Sequence, residues 1–164
     1  MPYLSTPEEN EPRHIMLHPS DRWAYTSDEK GDSISVYDLN SGQLQLAQTV
    51  STIPADFDGT VNTTARCLIS PDGRFVYVAN RGHNSVACFA VDAETGRVRS
   101  LGQVSTEAVP RSFTIDSTGR HLYVAGQASG KIAAYRIEES GRLRPLAAYD
   151  SGPVPWAVQC VDSR

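Results

Sequence analysis

Short runs of alternating hydrophobic and polar residues follow one another along most of this 164-residue chain. The runs are rich in β-branched and aromatic residues, and glycine, proline or small polar residues separate them, which is typical of β-strands joined by turns. No segment keeps the ~3.6-residue period of an amphipathic helix over a useful length. The pattern therefore predicts an all-β protein.

These runs form one unit that occurs three times, beginning with PRHIMLHP, ARCLISPDG and PRSFTIDSTG. The tyrosines that anchor the units, Tyr25, Tyr77 and Tyr123, are 52 and 46 residues apart, and the inserted segment IPADFDGTVNTT lengthens the first interval. Each unit contains four predicted strands. A repeat of about 45 residues with four strands predicts β-propeller blades of four antiparallel strands rather than a sandwich.

Turn residues recur at fixed places in each unit. Pro71-Asp72-Gly73 and Ser117-Thr118-Gly119 separate the first and second predicted strands. Gly42, Gly96 and Gly141 mark the turn between the third and fourth strands and are 54 and 45 residues apart. The turns support the division of each unit into four strands.

The ends of the chain resemble parts of further units. The segment 155–161 matches the first strand of a fourth unit, and residues 2–4 match the last strand of the third, at 145–147. We therefore expect residues 1–12 to hold the end of a preceding blade and a linker, and residues 13–162 to form a partial propeller. Blades without neighbours leave open faces, so we expect either a fragment or a half that two copies complete into a ring.

Composition excludes several classes of protein. With 40% hydrophobic and 21% charged residues, the chain has the composition of a globular protein. A net charge of −4 and the lack of a basic run argue against a nucleic-acid partner. No run reaches the ~18 apolar residues that span a membrane, and the first residues lack a secretion pattern, so we expect a cytoplasmic protein without a membrane partner.

The three cysteines, Cys67, Cys88 and Cys160, each lie within an apolar alternating stretch. They form no C-x-x-C pair, and no histidine stands at metal-ligand spacing from them. We expect buried free thiols and no metal site. The sequon at Asn62 matches a glycosylation pattern, which has meaning only in a secreted protein.

Equivalent positions of the three units differ in chemistry at two places, which makes those positions candidates for function. One lies four residues after each anchoring tyrosine, where the second strand ends, and holds Glu29, Arg81 and Gln127. The other lies twelve residues before it, where the first strand begins, and holds Arg13, Ala65 and Arg111, with Trp156 in the partial fourth unit. His14 and Arg66 occupy the next position along.

In a propeller the innermost strands line the channel, so these positions should converge on one mouth. Arginine binds carboxylate and phosphate with two parallel hydrogen bonds, so Arg13, Arg81 and Arg111 predict an anionic ligand. Glu29 beside them could act as a general base or acid. The alternative is that these are solvated charges at strand ends, which is the usual place for such residues.

The strings PRHIMLHP, YTSDEKGDSISVYDL, ISPDGRFVYVANRGHNSVACFAV and PRSFTIDSTGRHLYVAGQASGKIAAYRI resemble the C-terminal half of the lactonase family of seven-bladed β-propellers. The resemblance covers Pro12 to Val161 and implies about three blades of a seven-bladed propeller. It implies hydrolysis of a small anionic lactone of the 6-phosphogluconolactonase kind, in carbohydrate metabolism, without a cofactor. The alternative within the family is a lactonizing isomerase of the 3-carboxymuconate cyclase kind.

The resemblance also implies site residues. Arg13, Glu29 and Arg81 match an arginine, a glutamate and a second arginine that act in catalysis in the muconate branch. The family's histidine belongs to an earlier blade, and His14 lies in a different motif and does not replace it. The comparison of equivalent positions, and not the resemblance, leads us to expect that His14, Arg66, Arg111 and Gln127 bind the substrate.

Two further interpretations stay open. Many propellers only bind other proteins, because a fold does not determine a function. Such a surface should have a hydrophobic or aromatic rim, whereas this rim is polar and rich in arginine. The chain could also be a non-functional remnant of a longer gene, since partial units stand at both ends.

Overall fold

The computed structural model describes residues 10–40, 42–59 and 61–161. In these residues twelve strands form three four-stranded antiparallel sheets, and the strands of each sheet follow one another in sequence order. The first sheet contains β1 (Pro12–Leu17), β2 (Trp23–Asp28), β3 (Ser33–Asp38) and β4 (Gln45–Ser51). The second contains β5 (Thr64–Ile69), β6 (Phe75–Asn80), β7 (Ser85–Val91) and β8 (Val98–Ser105). The third contains β9 (Pro110–Ile115), β10 (His121–Gly126), β11 (Lys131–Ile137) and β12 (Leu143–Asp150).

The three sheets are the three predicted blades, so the all-β fold and the division into four-stranded units are confirmed. The first strands of neighbouring sheets lie side by side, because β5 contacts both β1 and β9. These three strands form the inner wall of the arc, and β4, β8 and β12 form its outer edge. The same end of each inner strand therefore points to one mouth.

The hydrophobic core lies between the sheets. Every residue of β2 and of β6 is buried, because these strands pack on both faces. One apolar cluster, which includes Trp23, Tyr25 and Phe89, joins the first two sheets. A second, which includes Tyr77 and Phe113, joins the second and third sheets. Each blade is thus stabilised by packing against its neighbour as well as by the pairing of its own four strands.

Two of the anchoring tyrosines connect one blade to the next. The hydroxyl of Tyr25 donates to the carbonyl oxygen of Gly96 at 3.0 Å, and Tyr77 makes the same bond to Gly141 at 3.0 Å. Burial raises the pKa of Tyr25 well above its ordinary value, so this hydroxyl keeps its proton and remains a donor. The repeated tyrosine and the repeated glycine are therefore the donor and the acceptor of one hydrogen bond between blades.

The glycine turns have the geometry that the sequence predicts. Gly73 and Gly119 close turns between the first and second strands at φ values of 75° and 68°. Gly96 has a φ of 69°, a left-handed conformation that favours glycine. The ring of Trp23 would lie 2.3 Å from a Cβ atom added to Gly96, so a side chain has no room there.

The two ends of the arc differ from a complete blade. Residues 155–161 run along β9, where the backbone N–H groups of Val158 and Cys160 point to the hydroxyl oxygens of Ser112 and Thr114 at 3.4 Å each. They form no strand in the described part of the chain, because no ladder of backbone hydrogen bonds pairs them there. The matching segment at residues 2–4 lies outside the described residues.

Apolar side chains are exposed on the outward faces of the first and third sheets. Ile15 and Leu17 of β1 are 53% and 55% exposed, and Tyr149 and Trp156 at the other end are each 60% exposed. Between the sheets the equivalent surface is buried. The described residues contain no helix with the length and hydropathy to cross a membrane.

Candidate functional site

A β-bulge stands at the entry of each inner strand and positions the candidate arginines. In the first blade Arg13 is the extra residue between two ladder pairs, and in the third blade Arg111 is. In the second blade the pairing is interrupted between Thr64 and Cys67, so that Ala65 and Arg66 are both unpaired. A bulge turns side chains out of the regular alternation, so that neighbouring residues can face the same cleft.

The residues that follow the second strands are held in equivalent places. Each of them donates its backbone N–H to the carbonyl oxygen of the residue just before the inner strand, across 2.8, 2.9 and 2.9 Å. The three pairs are Glu29 with Glu11, Arg81 with Thr63, and Gln127 with Val109. The two positions that the repeat comparison singled out therefore lie next to each other at one end of the arc.

The three predicted catalytic residues are in direct contact. The carboxylate of Glu29 lies between two guanidinium groups: Nε of Arg13 is 3.4 Å from Oε2, and Nη2 of Arg81 donates to Oε1. Nη2 of Arg81 also donates to the carbonyl oxygen of Thr64 at 3.0 Å. Because the side chain of Glu29 is 33% exposed, it remains open to a ligand.

Two buried polar atoms near this group have no protein partner in the described residues. They are Nε of Arg81 and the hydroxyl oxygen of Thr64. An unpaired buried donor costs free energy unless water or a ligand satisfies it. Both atoms belong to residues that contact each other beside Glu29, so this is a place where an oxygen-rich ligand would complete the hydrogen bonding.

Positive charge exceeds negative charge around Glu29. Burial and the neighbouring charges of Arg81 and Arg111 lower the pKa of Arg13, while Glu29 acts in the opposite direction. Three guanidinium groups therefore influence one another close to a single carboxylate. Such a site attracts an anion.

A cleft of about 250 Å³ opens along the inner strands beside this ion group. It is lined by residues of the columns identified in the sequence, namely Arg13, His14, Arg66, Arg111, Ser112, Trp156 and Ala157. The guanidinium carbon of Arg111 lies 4.1 Å from the centroid of the Trp156 ring, a cation–π contact. Gln127 is placed at the same end of the arc but outside this cleft lining.

His14 contributes a neutral ring to the cleft. Burial and the nearby charges of Arg66 and Arg13 lower its pKa below the ordinary histidine value. Its Nδ1 lies 3.6 Å from the sulfur of Cys67. The basic character that the sequence suggested for both His14 and Arg66 therefore comes from Arg66 at neutral pH.

Comparison of the repeats overlooked a polar cluster beneath Glu29. The carboxylate of Asp28 is fully buried and accepts hydrogen bonds from the hydroxyls of Thr26, Ser33 and Ser35 at 2.8, 2.8 and 2.6 Å. In the second blade Asn80 takes the place of Asp28 at the end of the second strand. The difference between Asp28, Asn80 and Gly126 at this position was visible in the sequence. Asp28 fixes the strand end from which Glu29 projects.

Asn62 holds the inserted segment against the loop that carries Arg81. Its side-chain nitrogen donates to Asp32 at 2.7 Å, and its oxygen accepts the backbone N–H groups of Gly82 and His83 at 3.1 and 3.0 Å. Asn62 is only 8% exposed. The sequon at this residue is therefore a structural asparagine whose amide is already engaged.

Cys67 and Cys88 should be unreactive in the folded protein. Burial raises the pKa of each thiol to about 12, so roughly one in 10⁴ is a thiolate at pH 8. At pH 8 we expect a disulfide reagent to label neither thiol in the native protein within a time that is sufficient to label both in the urea-unfolded protein. Mass spectrometry measures the labelling. Half-buried Cys160 is the internal comparison. Equal labelling of Cys67 in the native and the unfolded protein would contradict its burial.

Comparisons with known proteins agree with the fold. A family model described as lactonase, 7-bladed beta-propeller, matches residues 1–160. The chain belongs to this lactonase family of seven-bladed β-propellers. The 6-phosphogluconolactonase of Pectobacterium carotovorum is 40% identical over 150 residues, which cover 90% of this chain and 45% of that protein. The 6-phosphogluconolactonase of Yersinia pestis is 42% identical over 151 residues, with the same coverage.

The solved structures lead to the same family. The structure described as a periplasmic gluconolactonase of Pseudomonas aeruginosa superposes with a TM-score of 0.86 at 31% identity, over 92% of this chain and 43% of that one. This chain therefore spans about 45% of the length of the curated relatives that it matches. The resemblance that the sequence motifs carry to the lactonase family is confirmed.

Proposed function

We propose that this site hydrolyses the lactone of a small anionic substrate, as a 6-phosphogluconolactonase does. The observation that supports the proposal most directly is the carboxylate of Glu29, held between Arg13 and Arg81 in a chain of the lactonase family. Such an arrangement combines a proton acceptor with two donors for a developing negative charge. The names of the curated relatives supply the substrate class.

The chemistry follows from the roles of these three side chains. A water molecule attacks the lactone carbonyl carbon, and its proton passes to the carboxylate of Glu29. The negative charge that forms on the carbonyl oxygen is stabilised by guanidinium N–H groups, among which Nε of Arg81 has no other partner in the described residues. The ring C–O bond then breaks, the proton moves from Glu29 to the ring oxygen, and a hydroxy acid results.

Arg13 and Arg81 are paired with the carboxylate of Glu29 when no substrate is present. Because Arg13 and Arg81 both contact Glu29, a substrate oxygen must compete with that carboxylate for their N–H groups. A guanidinium has five N–H donors, so each arginine can contact the carboxylate and the substrate together. The ion group therefore serves as a template for the substrate rather than as a closed salt bridge.

Replacing Arg13 or Arg81 by alanine should raise KM for 6-phosphogluconolactone by about tenfold or more, since each loses a charge-assisted hydrogen bond. Hydrolysis is followed by acid release at constant pH, with the spontaneous rate subtracted. Arg97→Ala, on the exposed hairpin at the other end of the second blade, is the matched control and should leave KM unchanged.

Unaltered KM in both Arg13→Ala and Arg81→Ala would contradict their role, and hydrolysis no faster than the spontaneous reaction would contradict the proposed function.

The solution mass of the same sample shows whether the active form is a monomer of 17.9 kDa or a larger assembly. The association of two copies into a larger ring and the cytoplasmic location expected from the sequence stay predictions. Cell fractionation tests the location.

A further inference from the structure

We propose that the cleft between Arg66 and Arg111 binds the phosphate group of the substrate, while the Glu29 ion group acts on the lactone ring. This inference rests on the proposed function for the identity of the substrate. The binding of a phosphate dianion is independent of the proposed function, because the cleft would hold this ion in the absence of any reaction.

Charge compensation distinguishes the two ends of the site. Arg13 and Arg81 contact the carboxylate of Glu29. In the described part of the chain, neither Arg66 nor Arg111 has a carboxylate oxygen within 4.0 Å of its guanidinium nitrogens. Two positive charges in one cleft without a counter-charge repel each other and favour an anion between them.

Arg66 has unused hydrogen-bonding capacity. Its Nε is buried and has no hydrogen-bond partner in the described residues. Within the same described residues, its Nη1 makes only a long contact of 3.4 Å to the hydroxyl oxygen of Ser112. A buried N–H group without an acceptor is costly, so an oxygen atom delivered by a ligand would recover that cost.

Arg111 and Ser112 provide the opposite wall. Stacking of Arg111 on Trp156 covers the face of the guanidinium and leaves its N–H edge available, and the contact also restricts the side chain before a ligand arrives. The oxygen of Ser112 accepts hydrogen bonds from Arg66 and from the backbone N–H of Val158, which leaves its own proton available to donate into the cleft.

These donors suit a phosphate better than a carboxylate. A phosphate monoester carries close to two negative charges and three terminal oxygens, which match two uncompensated guanidinium groups and a hydroxyl. A carboxylate would compensate only one of the two charges. His14, which is neutral because of burial and Arg66, adds no third charge to be balanced.

Arg13 places the two ends within reach of one ligand. It lines the cleft together with Arg66 and Arg111, and its Nε contacts Glu29. A substrate whose phosphate sits on Arg66 and Arg111 can therefore present its other end to the Glu29 carboxylate. This fits a lactone that carries its phosphate at a distance from the reacting carbonyl.

Binding of inorganic phosphate to the purified chain, measured by calorimetry at low salt, tests the inference directly. Arg66→Gln and Arg111→Gln should each weaken binding by about tenfold or more, whereas Arg97→Gln should not change it. Arg66→Lys keeps the charge but loses the planar set of donors, so its phosphate affinity should lie between those of the unmodified chain and Arg66→Gln. Acetate at the same concentration should bind at least tenfold more weakly than phosphate. Phosphate affinity that is equal in all variants, or equal for acetate, would overturn the inference.

Kinetics with two substrates separates this inference from the proposed function. Arg66→Gln should raise KM for 6-phosphogluconolactone by about tenfold, and the change in KM for gluconolactone, which lacks the phosphate, should be much smaller. An equal change for both substrates would overturn the assignment of a phosphate subsite. Phosphate binding that depends on Arg66 and Arg111 in a chain without lactonase activity would support the inference and contradict the proposed function.

Discussion

Replacing Glu29 by glutamine should lower kcat for lactone hydrolysis by about 10²- to 10⁴-fold, the range that a positioned general base contributes. Glutamine has nearly the same shape, but it has one acceptor oxygen where the carboxylate has two, so only one of Arg13 and Arg81 keeps its contact. It cannot accept the proton of the attacking water at neutral pH. The change therefore removes the proton transfer and one arginine contact while it keeps the shape of the side chain, so kcat should fall far more than KM changes.

Glu11→Gln is the matched control for this variant. Glu11 lies at the same end of the first blade and pairs with Lys30 on the exposed surface, so it carries an equal charge outside the ion group. We expect its kcat to equal that of the unmodified chain. Rates are measured as acid release at constant pH, and thermal unfolding shows that both variants are folded. Full turnover in Glu29→Gln would remove Glu29 from the catalytic group.

The repeat in the sequence predicts the blades correctly because strand periodicity and turn chemistry are local properties. The alternating runs, the turn at Gly73 and the recurrence of the tyrosines are all visible within one unit of the chain. The hydrogen-bond partner of a tyrosine is not visible within its own unit, since Tyr25 bonds to Gly96 in the next blade. The sequence thus identified both residues as recurrent but could not show that they contact each other.

The candidate site was predictable as a set of residues, and its geometry was not. Equivalent positions with unlike chemistry pointed to Glu29, Arg81 and Arg13, which the structure brings into contact. The bulge that frees Arg13 from the ladder depends on how two strands align, which a single strand sequence does not specify. The neutral state of His14 likewise depends on burial and on Arg66, a residue that only the fold brings near.

Gly96→Ala is expected to reduce the free energy of unfolding by about 2 to 5 kcal/mol. A left-handed backbone costs an L-residue about 1 to 2 kcal/mol, and overpacking a buried contact costs about 1 to 3 kcal/mol more. The second cost applies because the added methyl group would lie 2.3 Å from the ring of Trp23, which is 1% exposed and cannot move aside. Any shift of the turn would also strain the bond between Tyr25 and the Gly96 carbonyl.

Gly42→Ala separates these two costs. Gly42 occupies the same turn in the first blade with a φ of 73°, and an added Cβ atom there meets no atom of the described residues within 4 Å. Gly42→Ala should therefore lower the free energy of unfolding only by the cost of the left-handed backbone, about 1 to 2 kcal/mol. Urea unfolding followed by tryptophan fluorescence measures both. Equal losses would mean that the turn conformation alone is important at Gly96. A larger loss at Gly96 would show that close packing against Trp23 of the neighbouring blade adds to the cost of the turn conformation, because the added Cβ atom meets this ring only at Gly96 among the two described positions.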